Sequence, residues 1–238
     1  MSGLRWHDLE CGGYDADLPL WRELAERAGG DVLDLGCGAG RVALDLARHG
    51  HSVTGLDHDR ELLDALRERA GGLPVDAVLA DARDFALGRR FVLALAPMQT
   101  VQLLGGPDGR AAFLGCARDH LETGGLLAIA VANALEAYEP GADALPPPDM
   151  GEHDGWLYSS QPVAVRDRGD RVAIERIRQI VAPDGTLDAS GDIIELDRLD
   201  AATLEAEGAG AGFAVEPARH IEPTAEHVGS EVVMLRAA

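Results

Sequence analysis

The sequence contains no lysine, so all 21 basic side chains are arginine. That absence excludes Schiff-base chemistry and a lysine general base. Asparagine occurs once, at Asn133, and aromatic residues make up 4% of the chain. The three cysteines, Cys11, Cys37 and Cys116, are an odd number and widely spaced. They form no disulfide framework and no Cys-x-x-Cys or His/Cys cluster, so no metal site is expected and a reducing, cytoplasmic location is. The N-terminal segment lacks a charged-then-apolar leader pattern. Apolar runs such as Leu126 to Ala132 fall far short of the about 20 residues a spanning helix requires, so no membrane partner is expected.

Basic charge is also scarce. Acidic residues number 41, and the formal net charge of −20 repels phosphate backbones, so no nucleic-acid partner is expected. What is present is a 46% apolar content over 238 residues, enough for one sizeable core.

The first half alternates short apolar runs with helical patterns. Strands are predicted at 31–36, 52–57, 75–79, 91–96 and 126–131. Helices are predicted from Arg41 to His49, around Leu62 to Leu66, and from Arg110 to Leu121, the last stopped by Gly124-Gly125. Such alternation implies a parallel sheet with helices on both faces. The second half differs. Pro140 to Asp149 reads as an extended lid, and 156–167 with 171–181 as a hairpin turning at Arg168-Gly169-Asp170. A third antiparallel strand is predicted at 192–199, then a short helix from Ala201 capped by Asp200, then strands at 213–221 and 231–235. The expected organisation is one domain over 1–238. It comprises N-terminal cap helices (1–30), a cofactor-binding core (31–136), a lid with an antiparallel insertion (137–199), and a final helix with strands (200–238).

The sharpest motif is Asp34-Leu35-Gly36-Cys37-Gly38-Ala39-Gly40, which follows a strand and opens a helix. Glycines there permit a tight turn and close approach of a ligand to the backbone. Cys37 reads as a small turn residue. Asp57 ends the next strand, where a carboxylate can hold both ribose hydroxyls, and Asp81 ends the third. The spacing departs from Gly-x-Gly-x-x-Gly, and Asp34 at the turn would repel a pyrophosphate. It suits a ligand carrying an ammonium and a sulfonium, which favours S-adenosylmethionine over a nicotinamide dinucleotide.

At these residues the chain resembles the class I S-adenosylmethionine-dependent methyltransferases, over roughly residues 8–136 and the last two strands. The resemblance implies a Rossmann-like seven-stranded sheet whose last strand is antiparallel, with a small antiparallel insertion after the fifth. It implies that Asp34, Gly36, Cys37, Gly38 and Gly40 line the methionine part of the cofactor. Asp57 would hold the ribose, His58 would flank the adenine, and Asp81 and Ala82 would meet its edge. Ala96, Pro97 and Met98 would pass beneath the methionine. The fourth strand, Phe91-Val92-Leu93-Ala94, departs from the family's Phe-Asp-x-Val without affecting the fold. Neither an Asn/Asp-Pro-Pro-Tyr motif nor a Pro-Cys nucleophile is present, which agrees with a small-molecule acceptor.

For the acceptor side, Tyr14, His153 and Tyr158 are candidate catalytic residues. Gln99, Gln102, Asn133, Trp156, Arg176 and Arg178 are candidate acceptor contacts. Thr100 and Glu136 lie on the same expected rim. Each has a structural alternative: packing for Tyr14, helix capping for the Gln99–Gln102 segment, a turn for Asn133, a surface loop for His153 to Tyr158. For the arginine pair the alternative is a salt bridge at a dimer contact. His7 reads as a solvated terminus and His120 as a helix end. The function expected is methyl transfer from S-adenosylmethionine to N or O of a small molecule. The alternatives are another reaction of the same cofactor, such as its cyclisation, or a non-catalytic accessory protein. A monomer and a homodimer through the insertion both remain open.

Overall fold

The computed structural model describes residues 3–132, 145–224 and 227–238. Helices α1 (Gly3–Cys11) and α2 (Leu18–Ala28) precede β1 (Val32–Leu35), α3 (Arg41–Arg48), β2 (Val53–Asp57), α4 (Arg60–Ala70) and β3 (Val75–Leu79). Then come β4 (Phe91–Ala96), a 3-10 turn (Thr100–Leu103), α5 (Pro107–Asp119) and β5 (Leu121–Val131). A second group, β6 (Asp149–His153), β7 (Trp156–Asp167), β8 (Arg171–Val181) and β9 (Leu187–Asp197), precedes α6 (Ala201–Gly210), β10 (Phe213–Ile221) and β11 (Ser230–Ala237).

Seven strands form one sheet in the order β10-β11-β5-β4-β1-β2-β3. β1 to β5 pair in parallel, and β11 runs antiparallel between β5 and β10. Strand alternation divides the apolar side chains between two faces. Leu33, Leu35, Leu127 and Ile129 pack with Phe113 of α5 and Leu204 of α6, while Val32, Leu95, Ala128 and Ala130 pack with Trp21 of α2 and Leu46 of α3. Helices therefore cover both faces, as the alternating pattern predicts. Strand order reverses between β1 and β4, and a ligand crevice opens outside the carboxyl ends at such a switch point.

The remaining strands form a separate antiparallel sheet in the order β6-β7-β8-β9. Four strands stand where three were expected. β6 begins where the segment read as lid ends, and its sequence, Asp-Met-Gly-Glu-His, has too little β propensity to announce a strand. The turn at Asp154-Gly155, with φ of 50° and 79°, joins it to β7 in the left-handed conformation that tight hairpins use. β9 likewise starts at Leu187 and not at Asp192. The pair Gly124-Gly125 does not stop α5, which already ends at Asp119; it lies inside β5, where the pairing with β4 shifts register. Glycine in a strand marks such irregularities as often as it ends a helix.

Candidate active site

The turn after β1 is shaped by close approach. Gly36 and Gly38 have φ of 74° and 54°, the left-handed region that favours glycine. A Cβ at Gly36 would lie 2.6 Å from Thr100 Cγ2, and one at Gly38 would lie 2.4 Å from His7 Nε2. The turn is thus enclosed by α1 on one side and the 3-10 turn on the other. The amides of Gly36 and Cys37 donate to Leu56 O at 2.8 and 3.1 Å, which ties the turn to β2. At the end of β2 the Asp57 carboxylate accepts from Gly38 N at 2.8 Å and from Asp59 N at 2.9 Å. Backbone amides therefore hold this nearly buried carboxylate in place.

Asp34 is buried, and neither of its oxygens has a hydrogen-bond partner. Burial pushes its carboxyl up to about 7; Arg41 opposes the rise, and Asp57 adds to it. The amide of Ala43 also favours the charged form, but its geometry falls short of a hydrogen bond. An uncompensated buried carboxylate is costly unless a cation joins it. Cys37 is buried against Gly55, and burial raises its thiol well above the ordinary value, so it stays a neutral packing residue.

Asp81 follows β3 and is already engaged. The Arg83 guanidinium closes on it at 2.6 Å and the Arg83 amide at 2.8 Å. These contacts hold its carboxyl down at about 2. His58 is exposed beside Asp57, and Ala82 is buried at the same rim. After β4, Ala96 is buried, and Met98 takes φ 55°, a conformation costing a non-glycine residue about 1–3 kcal/mol and typical of ligand-facing turns. Thr100 Oγ1 donates to Pro97 O at 2.9 Å and fixes this segment over the turn. Gln99 is half-buried at the same rim.

Gln102 takes a different position from the one expected. Its Nε2 donates to Ala132 O at 3.0 Å and to Asp197 O at 3.1 Å, and its Oε1 accepts from Ala132 N at 3.0 Å. With its amide fully used and buried, Gln102 joins the ends of β5 and β9 and has nothing left for an acceptor. Asn133 and Glu136 lie outside the described residues.

Tyr14 is buried between Arg41 and His227. The Arg41 guanidinium lies 5.2 Å from its ring centroid, and the His227 ring lies 4.8 Å away on the loop between β10 and β11. Arg41 is itself held by Asp17 at 2.5 and 2.8 Å and donates to Tyr14 O at 2.8 Å. Burial, helped by Asp17, raises the Tyr14 phenol above its ordinary value. β10 runs parallel to β5, so the loop that follows it reaches the same carboxyl rim as the glycine turn.

Arg176 and Arg178 share one face of β8, as alternation predicts, but that face meets α1. Arg178 pairs with both oxygens of Glu10 at 2.7 and 2.8 Å, and lies 5.2 Å from the Trp6 ring centroid. Arg176 donates to Ser160 Oγ at 2.8 Å and pairs with Asp149. Both guanidiniums are therefore paired within the chain and are not open to an acceptor carboxylate. Burial raises the Glu10 carboxyl, but hydrogen bonds from Arg178 and Ser160 outweigh it and hold the group below its ordinary value. Burial leaves Asp149 raised despite Arg176, with His227 among the charges that oppose the rise. Tyr158 packs edge-on against Trp6 at 5.8 Å, a structural contact.

His153 and Trp156 are paired beside the β6–β7 turn, both exposed, with His153 3.1 Å from Asp154. They stand four positions from the Asp149–Ser160 pair that meets Arg176, about 13 Å along the strands. Away from that hairpin end, His227 packs on Tyr14 and is among the charges that act on Asp149. His227 escaped sequence reasoning because a lone histidine in a polar loop carries no periodic signal. His7, read as a solvated terminus, lies instead against Gly38. His120 is the helix end expected: its Nδ1 faces Cys116 O at 2.8 Å, and its Nε2 accepts from Leu87 N at 3.0 Å.

The strand order, with its antiparallel strand between β5 and β10, is that of the Rossmann-like methyltransferase fold. Residues 32–125 match a family model described as a methyltransferase domain. Among curated proteins, the cypemycin N-terminal methyltransferase of a Streptomyces species is 32% identical over 116 residues, covering 49% of this chain and 47% of that protein. The chain spans less than half the length of the curated relatives it matches. Among solved structures, CalS10, an S-adenosylmethionine-bound amino pentose methyltransferase from Micromonospora echinaspora, superposes with a TM-score of 0.73 at 19% identity, covering 100% of this chain and 98% of that one. The sugar N-methyltransferase KedS8 of a Streptoalloteichus species gives 0.74 at 19%, covering 98% and 91%. Identities this low speak for the fold alone. No described helix is long and apolar enough to cross a membrane.

Proposed function

We propose that this chain transfers a methyl group from S-adenosylmethionine to N or O of a small-molecule acceptor. The observation that carries the proposal is Asp34, a buried carboxylate without a partner beside a turn that only glycines fit, with the amide-held Asp57 one strand away. The residues fit the cofactor. Asp34 would face its ammonium, Asp57 its ribose hydroxyls, His58 one side of the adenine, and Ala82 the adenine edge. Asp81 would reach that edge only by sharing itself with Arg83. Ala96, Pro97 and Met98 would underlie the methionine.

Bound S-adenosylmethionine supplies a methyl carbon already activated by its sulfonium, so positioning is the main task left to the protein. Tyr14 and His227 line the acceptor side. An acceptor that arrives protonated must lose a proton before its lone pair attacks, and the His227 imidazole is placed to take it. We propose that residues 1–238 work as one domain in this reaction.

The outer face of the β6–β9 sheet supports a homodimer. Cross-strand partners share a face, so Leu157, Val181 and Leu187 stand together, with Ile177 and Ile193 nearby, opposite the arginine face. Leu187 and Ile193 are 57% and 60% exposed, a cost that a second copy would remove.

The test is methyl transfer from methyl-labelled S-adenosylmethionine to a panel of amino sugars, peptides with free N-termini, and phenols. Label in an acceptor together with S-adenosylhomocysteine supports the reading. Label retained in an altered cofactor points to a rearrangement, and binding without turnover to an accessory role.

A further inference from the structure

Among the described residues, three buried side-chain polar atoms lack a hydrogen-bond partner: both Asp34 oxygens and His7 Nδ1. Buried polar atoms are almost always paired, so each exception calls for a reason. Both residues flank the same turn. Asp34 lies at its base, and His7 touches Gly38 from above, close enough that a Cβ there would meet its Nε2. The unmet hydrogen-bonding capacity of the described residues thus gathers around one turn.

His7 is held there deliberately. Its helix, α1, is anchored by Gly3 N to Glu61 at 3.0 Å, by Asp8 to Arg69 at 2.8 and 2.5 Å, and by Glu10 to Arg178 at 2.7 and 2.8 Å. Those contacts reach α4 and β8, so α1 bridges the cofactor core and the second sheet with His7 in between. The charges that His7 senses are Asp8, Asp57, Arg69 and Asp59, and burial holds its imidazole below the ordinary value. Gly38, which the His7 ring touches, donates its amide to Asp57 at 2.8 Å, so the ring lies by the carboxylate assigned to the ribose. A neutral imidazole offers one donor and one acceptor, which matches a hydroxyl.

We propose that His7 is a cofactor-binding residue whose Nδ1 hydrogen-bonds a hydroxyl of the ribose held by Asp57. The proposal rests on the S-adenosylmethionine reading. On it, α1 is part of the binding site, and its loss would open the turn to water. The acidic chain would then use one neutral ring and one carboxylate on the same sugar, where two carboxylates would repel each other.

The experiment compares the unaltered chain with His7→Ala and His7→Asn by calorimetry, using S-adenosylhomocysteine and its 2′-deoxy and 3′-deoxy ribose analogues. His7→Ala should weaken S-adenosylhomocysteine about tenfold, the loss of one buried hydrogen bond. One deoxy analogue should show no such difference between the two proteins. His7→Asn, whose amide reaches the same position as Nδ1, should recover affinity to within about threefold. The ratio between ligands within each variant is insensitive to partial unfolding. Equal affinity of His7→Ala and the unaltered chain overturns the proposal, as does an undiminished loss with both analogues. Failure of the unaltered chain to bind S-adenosylhomocysteine at all overturns the cofactor reading itself, and this proposal with it.

Discussion

The ring of His227 packs 4.8 Å from the ring of Tyr14, at a tilt of 42°. One residue comes from the segment before β1 and the other from the loop before the last strand. In the function proposed above, their meeting forms the acceptor side of the site, and two roles can be separated. Tyr14→Phe should lower kcat about tenfold while the KM for S-adenosylmethionine moves less than twofold. His227→Ala should lower kcat by about 100-fold, the lower end for a lost general base. Both are measured with whichever panel acceptor turns over. A change confined to the cofactor KM would make the pair a cover and not part of the chemistry.

Asp57→Ala removes the carboxylate that orders the Gly38 and Asp59 amides and is assigned to two hydroxyls. Affinity for S-adenosylhomocysteine should drop by about 2–3 kcal/mol, roughly 30- to 150-fold, as expected for charge-assisted hydrogen bonds. Unchanged affinity by calorimetry would reject the ribose assignment.

Burial pushes the Asp34 carboxyl up to about 7. An unfolded aspartate titrates near about 3.9, so between about pH 4 and 7 the folded chain holds a proton that the unfolded chain has lost. Stability without cofactor should therefore fall as pH rises across that window. Asp34→Asn should lack that fall when urea midpoints are followed from pH 4.5 to 8. Binding of an ammonium needs the carboxylate, so affinity for S-adenosylhomocysteine should rise with pH and level off above about 7. Calorimetry at pH 6 in buffers of different ionisation enthalpy should show a proton released on binding, and none released by the Asn variant.

Gln102→Leu tests a structural role. It strips partners from Ala132 N, Ala132 O and Asp197 O, all at a buried junction. A loss of about 2–4 kcal/mol in urea unfolding is expected from groups left unpaired. Turnover per folded molecule should fall far less. A loss under 0.5 kcal/mol would show that water takes over the junction.

Ile193→Glu places a charge on the exposed apolar face, away from the arginine network. Sedimentation velocity should show the unaltered chain as a dimer and the variant as a monomer with unchanged cofactor affinity. A monomeric unaltered chain would reject the dimer.

Much of this was legible in the residues alone. The glycine turn could be placed because it follows a short apolar run and opens a helix, both local signals. Asp57 and Asp81 could be placed because strand ends in an alternating α/β pattern recur on one rim. Strand alternation correctly put Arg176 and Arg178 on one face. It was silent about what that face meets, and the answer, Glu10 on α1, lies 168 residues away from Arg178. β6 went unread because its residues have weak β propensity and only its turn carries a signal. His153 and Trp156 drew attention by residue type, yet register sets them at an exposed hairpin end.

The sequence by itself determined the parallel core, the cofactor turn and the classes of partner that its charge repels. Those follow from nearest-neighbour chemistry: periodicity, glycine spacing and the sign of the side chains. Only the tertiary structure decided which side chains remain unpaired when the core closes. A buried group's pairing depends on elements far apart in the chain, so Asp34 and His7 stand out only once β1, α1 and the turn between them are brought together.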